Sequence, residues 1–225
     1  MMNYGFIRVA AAVPVIKVAN IRYNTEEICR LTSEAFDKKV SLVVFPELSL
    51  TGSTCGDLTG LSTILNQAEK GVRELIEFSR GKSTAIVVGT PVYHLGQIYN
   101  CAAVIRNGSI KGLVPKIHIP SDGFTFASGS ALMPGAQIKY AGQECTISPN
   151  LLFDFKGFTF AVEVGEDANC PMPQSAFHAL AGAMAIAHPA ADCETVLKDG
   201  RRRQTLAENS ARGICGYIHA GAGFG

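Results

Sequence analysis

The sequence is short of charge of either sign, and no part of it is strongly basic. Only 17% of its 225 residues are charged, against 47% that are hydrophobic, which is the reverse of the balance found in disordered chains. The 20 Lys and Arg residues nearly cancel the 19 Asp and Glu residues, whereas phosphate contacts with nucleic acid require a basic face. We therefore expect a folded protein with no nucleic-acid partner.

Long apolar runs and targeting signals are also missing. No stretch approaches the roughly 18 consecutive apolar residues of a membrane span. Residues 1–8 contain no basic start followed by an apolar run, so they do not resemble a secretion signal. These features predict a cytoplasmic protein with no membrane partner.

Paired cysteines are a third absence. The seven cysteines form no C-x-x-C pair, and their number is odd, which argues against a disulfide framework. Structural zinc needs clustered ligands, and the five histidines lie far from any suitable cysteine pair. The sequence therefore predicts free thiols in a reducing compartment and no metal.

What is present is an alternation of buried strands and amphipathic helices at both ends of the chain, with hairpins between them. Helices are predicted at 24–39, 65–79, 174–181 and 202–212, the first of them capped by Asn24. Strands are predicted at 6–13, 41–45, 85–88, 98–105, 110–114, 151–155, 158–164, 183–186 and 217–219.

This pattern predicts an α/β fold in which two facing sheets are covered by helices, an α-β-β-α sandwich of four layers. No linker or repeat interrupts it, so residues 1–225 are expected to form one domain. The Gly-rich segment 220–225 directly follows a strand, an unusual place for a chain to stop. We therefore expect the sequence to be truncated at its C-terminal end.

Two charged residues occupy the ends of apolar segments. Glu47 follows the predicted strand 41–45 and Pro46, where a carboxylate suits a general base. Lys116 lies between Pro115 and Ile117, so its ammonium must reach solvent or find a partner, for which Glu47 is suitable. The alternative for Glu47 is an ordinary solvated loop residue.

Together with several other motifs, this pair resembles the nitrilase superfamily of carbon–nitrogen hydrolases. The Thr-Cys-Gly-Asp-Leu segment at 54–58 is most similar to the glutaminase domain of glutamine-dependent NAD synthetases. The matching segments cover nearly the whole chain, at 45–52, 54–58, 114–116, 150–155, 162–167, 171–173, 179–183 and 209–212.

The resemblance implies a nitrilase-like fold and a Glu–Lys–Cys triad that hydrolyses the glutamine carboxamide. Glu47 would be the general base and Lys116 would stabilise the oxyanion. Gly165 stands where the family has its nucleophilic cysteine. The implied substrate-binding positions are the residues after Gly165 and those of a later strand: Glu166, Asp167, Pro189 and Ala190.

The departures from the family pattern predict a chain without hydrolase activity. Glycine cannot form a thioester, the segment 121–129 is shortened, and residues 188–192 replace the family's Asn-Leu-Ser-Ala-Ser. Two alternatives stay open. The chain could be a degenerate module kept for assembly or binding, or another carbon–nitrogen hydrolase that uses Cys170 as its nucleophile.

The resemblance also implies partners. Glutamine would be the small-molecule substrate, and the helix at 202–212 would pair copies of the chain into a homo-oligomer. No cofactor is expected in this domain, because ATP and deamido-NAD would bind a synthetase domain that lies outside these residues.

Overall fold

The computed structural model describes residues 5–119, 125–155 and 157–223 and contains two main β-sheets flanked by helices. The helices are α1 (Ile21–Asp37), α2 (Ser62–Phe78), α3 (Gln174–Leu180) and α4 (Lys198–Gly213). The strands are β1 (Val9–Ala11), β2 (Leu42–Val44), β3 (Ala85–His94), β4 (Gln97–Arg106), β5 (Ser109–Pro115), β6 (Gln137–Tyr140), β7 (Gln143–Thr146), β8 (Leu152–Asp154), β9 (Thr159–Val162), β10 (Ala185–Ala190) and β11 (Gly216–Gly221).

Each of the two sheets is built from one continuous part of the chain. The first sheet has the order β1-β2-β3-β4-β5, with β1, β2 and β3 parallel and the β3–β4–β5 pairs antiparallel. The second has the order β11-β10-β9-β8, with β9, β10 and β11 parallel and β8 antiparallel to β9. The β6–β7 hairpin, which the sequence pattern did not reveal, forms a separate two-stranded ladder.

Side-chain alternation along the strands creates three apolar layers between these elements. In β2, Val43 packs toward the α1–α2 layer, whereas Leu42 and Val44 point to the second sheet. The central layer joins Val87 of β3 to Phe160 of β9. A third, smaller layer lies between the second sheet and α3. The predicted α-β-β-α sandwich is therefore confirmed.

The start of α1 differs from the prediction. Asn20 is the N-cap, and its side chain accepts a hydrogen bond from the Tyr23 N–H at 3.2 Å. Asn24 is instead fully buried within the helix. Its amide group bonds both backbone groups of Lys17 and the carbonyl of Leu50 at 2.8–2.9 Å. Asn24 therefore joins α1 to the loop after β2. Asparagine is a common N-cap residue, but the cap here is the asparagine four positions earlier.

No helix among the described residues is long and apolar enough to cross a membrane.

Candidate active site

The loop after β2 carries Glu47 and is held tightly against β3. Leu48 has a φ of +51°, so the chain turns sharply just after the glutamate. The loop backbone lies directly on Gly89 of β3: a Cβ atom there would lie 2.6 Å from the Pro46 carbonyl oxygen and would overlap the Leu48 nitrogen. Only glycine lets the two segments approach so closely.

Glu47 and Lys116 form a buried ion pair. The Nζ atom of Lys116 lies 2.8 Å from Oε1 of Glu47, and each side chain is only 7% exposed. Asn100 of β4 donates a second hydrogen bond to the same oxygen at 2.6 Å. Two donors on one carboxylate oxygen fix its position and offset part of the cost of burying the charge.

Asn100 was not predicted from the sequence as a site residue. It is a single amide in the apolar run of β4, and this isolation is the signal that could have identified it. Its Oδ1 atom is buried and accepts no hydrogen bond from the described residues. Asn100 therefore orients Glu47 and presents an unused acceptor beside the pair.

Gly165 faces this ion pair. It begins a short 3-10 turn at 165–169 and has a φ of +53°, a conformation that favours glycine. A Cβ atom on Gly165 would overlap Oε2 of Glu47 and would lie 2.8 Å from Nζ of Lys116. The carboxylate and the ammonium thus occupy the space next to the Gly165 backbone.

Two histidines extend this arrangement behind Gly165. His188 of β10 donates from Nε2 to the Gly165 carbonyl oxygen at 2.9 Å, which makes its Nδ1 an acceptor. That Nδ1 atom lies 3.0 Å from Nδ1 of His219, which must then be the donor. Burial lowers the pKa of His188 to about 4, so the ring is neutral at pH 7.

Asp167 fixes the segment after Lys116. The side chain is buried, and its two oxygens accept the backbone N–H groups of Ile117 at 2.9 Å and His118 at 2.7 Å. Burial raises the pKa of this carboxyl, and the two backbone hydrogen bonds oppose that change. Because both oxygens are engaged by the backbone, the structure gives Asp167 a positioning role. A contact with substrate stays a prediction.

Glu166 and His188 line a groove of about 580 Å³, whose lining does not include Gly165, Glu47 or Lys116; we call it the charged groove. Its charged lining comprises Glu166, Asp192, Lys198, Arg201 and Arg202, next to His188. A hydrogen bond from the Asn169 amide lowers the pKa of Glu166, whereas burial raises that of Asp192. Charges of both signs could hold a ligand that itself carries both.

Pro189 and Ala190 are buried in β10. A contact between either residue and glutamine therefore stays a prediction. The segment 121–129, predicted to be shortened, lies partly outside the described residues, which exclude 120–124.

The surroundings of Cys170 do not favour a nucleophile. Its Sγ atom lies 3.1 Å from the carbonyl oxygens of Asp167 and Met172, and the single S–H can donate to either. Burial and the nearby carboxylates of Glu163 and Asp167 raise its pKa, which disfavours the nucleophilic thiolate. Within the described residues, no three His, Cys, Asp or Glu side chains are grouped so that they could hold a metal ion.

Comparison with known proteins assigns the chain to a family. The carbon–nitrogen hydrolase family model matches residues 8–148, more than half of the chain and both members of the Glu47–Lys116 pair. The chain belongs to the carbon–nitrogen hydrolase family. The resemblance found in the sequence motifs is thereby confirmed.

Curated relatives of this family member are glutamine-dependent NAD(+) synthetases. That of Mycobacterium tuberculosis (strain ATCC 25618 / H37Rv) is 33% identical over 230 residues, which cover 99% of this chain and 34% of the relative. That of Aquifex aeolicus is 32% identical over 104 residues, or 46% of this chain and 18% of the relative. The chain thus spans about one third of the length of the mycobacterial relative.

Solved structures of the family share the fold. The glutamine-dependent NAD(+) synthetase of Cytophaga hutchinsonii superimposes with a TM-score of 0.83 at 22% identity, over 96% of this chain and 36% of that one. A C145A mutant of the Nesterenkonia AN1 amidase, from the nitrilase superfamily, gives 0.78 at 15% identity, over 96% and 76%. At these identities the likeness establishes the nitrilase-type fold alone.

Proposed function

We propose that this chain is a glutaminase-type domain, related to that of glutamine-dependent NAD synthetases, in which hydrolysis of the amide has been lost. The observation that carries the proposal is Gly165. It stands at the nucleophile position of the motif, and Glu47 and Lys116 fill the space beside its backbone.

The remaining groups of the site do not replace a nucleophile. Glu47 could accept a proton and Lys116 could stabilise an oxyanion, but covalent acyl transfer needs a thiol or hydroxyl between them. The Cys170 thiol lies within hydrogen-bond distance of two backbone carbonyl groups of its own loop. We therefore expect that any glutamine bound in the charged groove dissociates without being hydrolysed.

In an active relative of this kind the domain would supply ammonia for the amidation of deamido-NAD, an ATP-dependent step. The part of the mycobacterial relative that would carry that step has no counterpart in these 225 residues. We propose that ATP and deamido-NAD do not bind to this chain.

An ammonia-release assay with glutamine tests the proposal on the unmodified chain, on Gly165→Cys and on Cys170→Ala. We expect no release above background from any of them, because a side chain at 165 must displace Glu47 before it can react. Calorimetry with glutamine checks separately whether the substrate binds. Release from the unmodified chain that disappears in Cys170→Ala would show instead that Cys170 is a nucleophile. Release restored by Gly165→Cys would show that only one side chain is missing.

A further inference from the structure

A second charged groove lies at the opposite end of the first sheet from Glu47 and Lys116. It is formed by the loop before β3, the β4–β5 turn, and Asp154 and Phe155 at the end of β8, whereas Glu47 follows the other end of β2. The groove has a volume of about 610 Å³, and its charged lining comprises Lys82, Arg106, Lys111 and Asp154. We call it the basic groove.

Two of its cations are already held in place. The Nε atom of Arg106 donates to the Ser83 carbonyl oxygen at 2.9 Å, and its guanidinium lies 4.3 Å from the centre of the Phe155 ring. The ammonium of Lys82 donates to the Phe78 carbonyl oxygen at 2.6 Å and lies 4.0 Å from that residue's ring centre. Cations fixed in this way lose little further conformational freedom when an anion binds.

Within the described residues, the three cations of the basic groove form no ion pair with a carboxylate. Among the described residues, no carboxylate lies within 4.0 Å of the charged nitrogens of Lys82, Arg106 or Lys111. Asp154, the one acidic residue of the lining, accepts a hydrogen bond from the Gly157 N–H and so closes the β8–β9 turn. Ion pairs to carboxylates are formed by seven other arginines, Arg22, Arg30, Arg73, Arg80, Arg202, Arg203 and Arg212, whereas Arg8 and Arg201 form none among the described residues.

We propose that the basic groove binds the phosphate or diphosphate group of a small soluble molecule. The terminal guanidinium nitrogens of Arg106 offer the planar fork that matches a phosphate, and Lys111 adds a point charge for an anion of more than one charge. Lys82 lines the groove, but its ammonium is hydrogen-bonded to Phe78, which does not. The volume lies in the range of small-ligand sites, about 300–1,000 Å³. An extended nucleic acid is not favoured, because the net charge of the whole chain is only +1.

Titration with pyrophosphate at constant ionic strength, followed by calorimetry and backbone amide NMR, tests the proposal. We expect saturable binding that shifts the amides around 81–83 and 106–111. Loss of a charge-assisted bidentate contact costs about tenfold or more in affinity, which we expect for Arg106→Gln. Lys111→Gln should weaken binding by about three- to tenfold, since it removes one point charge.

Lys139→Gln is the matched control, because Lys139 is an exposed lysine on β6 and does not line the basic groove. We expect it to bind pyrophosphate as the unmodified chain does. Should Arg106→Gln fail to fold, Lys111→Gln still tests the site, since that side chain is exposed.

Three results would overturn the proposal: no saturable pyrophosphate binding, equal losses in Lys111→Gln and Lys139→Gln, or capture by phosphatidic acid vesicles without binding of soluble pyrophosphate. The last would point to a lipid surface. None of these results bears on glutamine hydrolysis, so this proposal and the proposed function can fail independently.

Discussion

At the scale of single residues, the Glu47–Lys116 pair should have the largest effect on the stability of the candidate site. Both charges are buried, and Asn100 is the second described donor to the shared oxygen Oε1 of Glu47. Removing one member leaves an uncompensated charge, whereas removing both removes the desolvation cost as well. Comparing single and double variants of the pair therefore tests whether the two opposite charges stabilise each other.

We predict that Lys116→Met lowers the free energy of unfolding by about 3–5 kcal/mol, because Glu47 is left buried without its cation. The double variant Glu47→Gln/Lys116→Met should recover part of that loss, since the amide introduced at position 47 is uncharged and its oxygen could still accept from Asn100. Urea denaturation measures both values.

The control for this pair is Arg22→Gln, which breaks an exposed ion pair between Arg22 and Glu26 on α1. Exposed pairs contribute about 0–1 kcal/mol, so the change should be small. A Lys116→Met variant no less stable than Arg22→Gln would show that the ammonium is not buried against Glu47.

A second residue-scale prediction concerns His188 and acid. Its pKa is lowered from 6.5 to about 4 by burial, so the unfolded chain binds a proton that the folded chain refuses. The contribution of His188 to the free energy of unfolding is therefore fully present above about pH 6.5, and it is lost as the pH drops from 6.5 to 4. Over that window this one group accounts for about 3 kcal/mol.

His188→Gln tests this directly, since the amide can donate to the Gly165 carbonyl and accept from His219 but does not titrate in this range. We expect its free energy of unfolding to depend less on pH between 4 and 6.5. His178, whose pKa burial also lowers to about 4, provides a comparison. His178→Gln should remove a second, independent part of the pH dependence of the free energy of unfolding. An unchanged pH slope in His188→Gln would mean that the ring is accessible to protons in the folded state.

At the scale of secondary-structure elements, the approach of the 46–48 loop to β3 positions Glu47. We predict that Gly89→Ala lowers the free energy of unfolding by about 3 kcal/mol or more, because a methyl group there overlaps backbone atoms that cannot rotate away. Thermal or urea unfolding measures the loss.

Gly200→Ala in α4 is the matched substitution, because a Cβ atom at Gly200 has no neighbour within 4 Å. It should stabilise the protein by about 0.5–1 kcal/mol through the better helix propensity of alanine. If both variants changed stability by the same amount, the close approach of the loop to β3 would be refuted.

The elements also show where sequence patterns suffice. The β4–β5 turn was predicted from Asn107-Gly108, and both residues adopt the positive φ of a tight hairpin. The β6–β7 hairpin was missed because Gln137–Tyr140 and Gln143–Thr146 mix polar and apolar residues over only four positions each. Asn24 shows a different limit: its buried hydrogen bonds depend on tertiary contacts with Lys17 and Leu50, which local spacing does not encode.

For the candidate site, the sequence motifs identified Glu47, Lys116 and Gly165, which lie far apart along the chain and meet in the structure. What they could not supply was the arrangement around them. The His188–His219 bond depends on the parallel register of β10 and β11, which places the two residues opposite each other. The Asn100 contact likewise depends on the register of β4 against its neighbours.

At the scale of the whole molecule, the layer of α3 and α4 is the least covered part of the sandwich. No residue of α4 is buried, although the helix packs on α3. Between the two helices lies an apolar groove whose rim includes Met172, Phe177, Leu180 and Ile214, with Leu180 87% and Ile214 92% exposed. Exposed apolar surface of this kind is typical of association sites.

We propose that this face pairs two copies of the chain, as the resemblance to the family implies for the helix at 202–212. A stable interface needs about 800 Å² from each partner, so apolar side chains on this face should contribute much of it. Sedimentation velocity at micromolar concentration should show a dimer. Leu180→Glu and Ile214→Glu should shift it to monomer, because each places a charge in the apolar centre of the contact.

Met133→Glu controls for a new surface charge alone, since Met133 is 79% exposed and does not line this groove. We expect it to leave the dimer intact. A chain that sediments as a monomer without any substitution, or a dimer that persists in both Leu180→Glu and Ile214→Glu, would exclude pairing through α3 and α4. Leu180 and Ile214 line neither the charged groove nor the basic groove. Loss of the dimer should therefore leave pyrophosphate binding unchanged, so the same variants separate assembly from ligand binding.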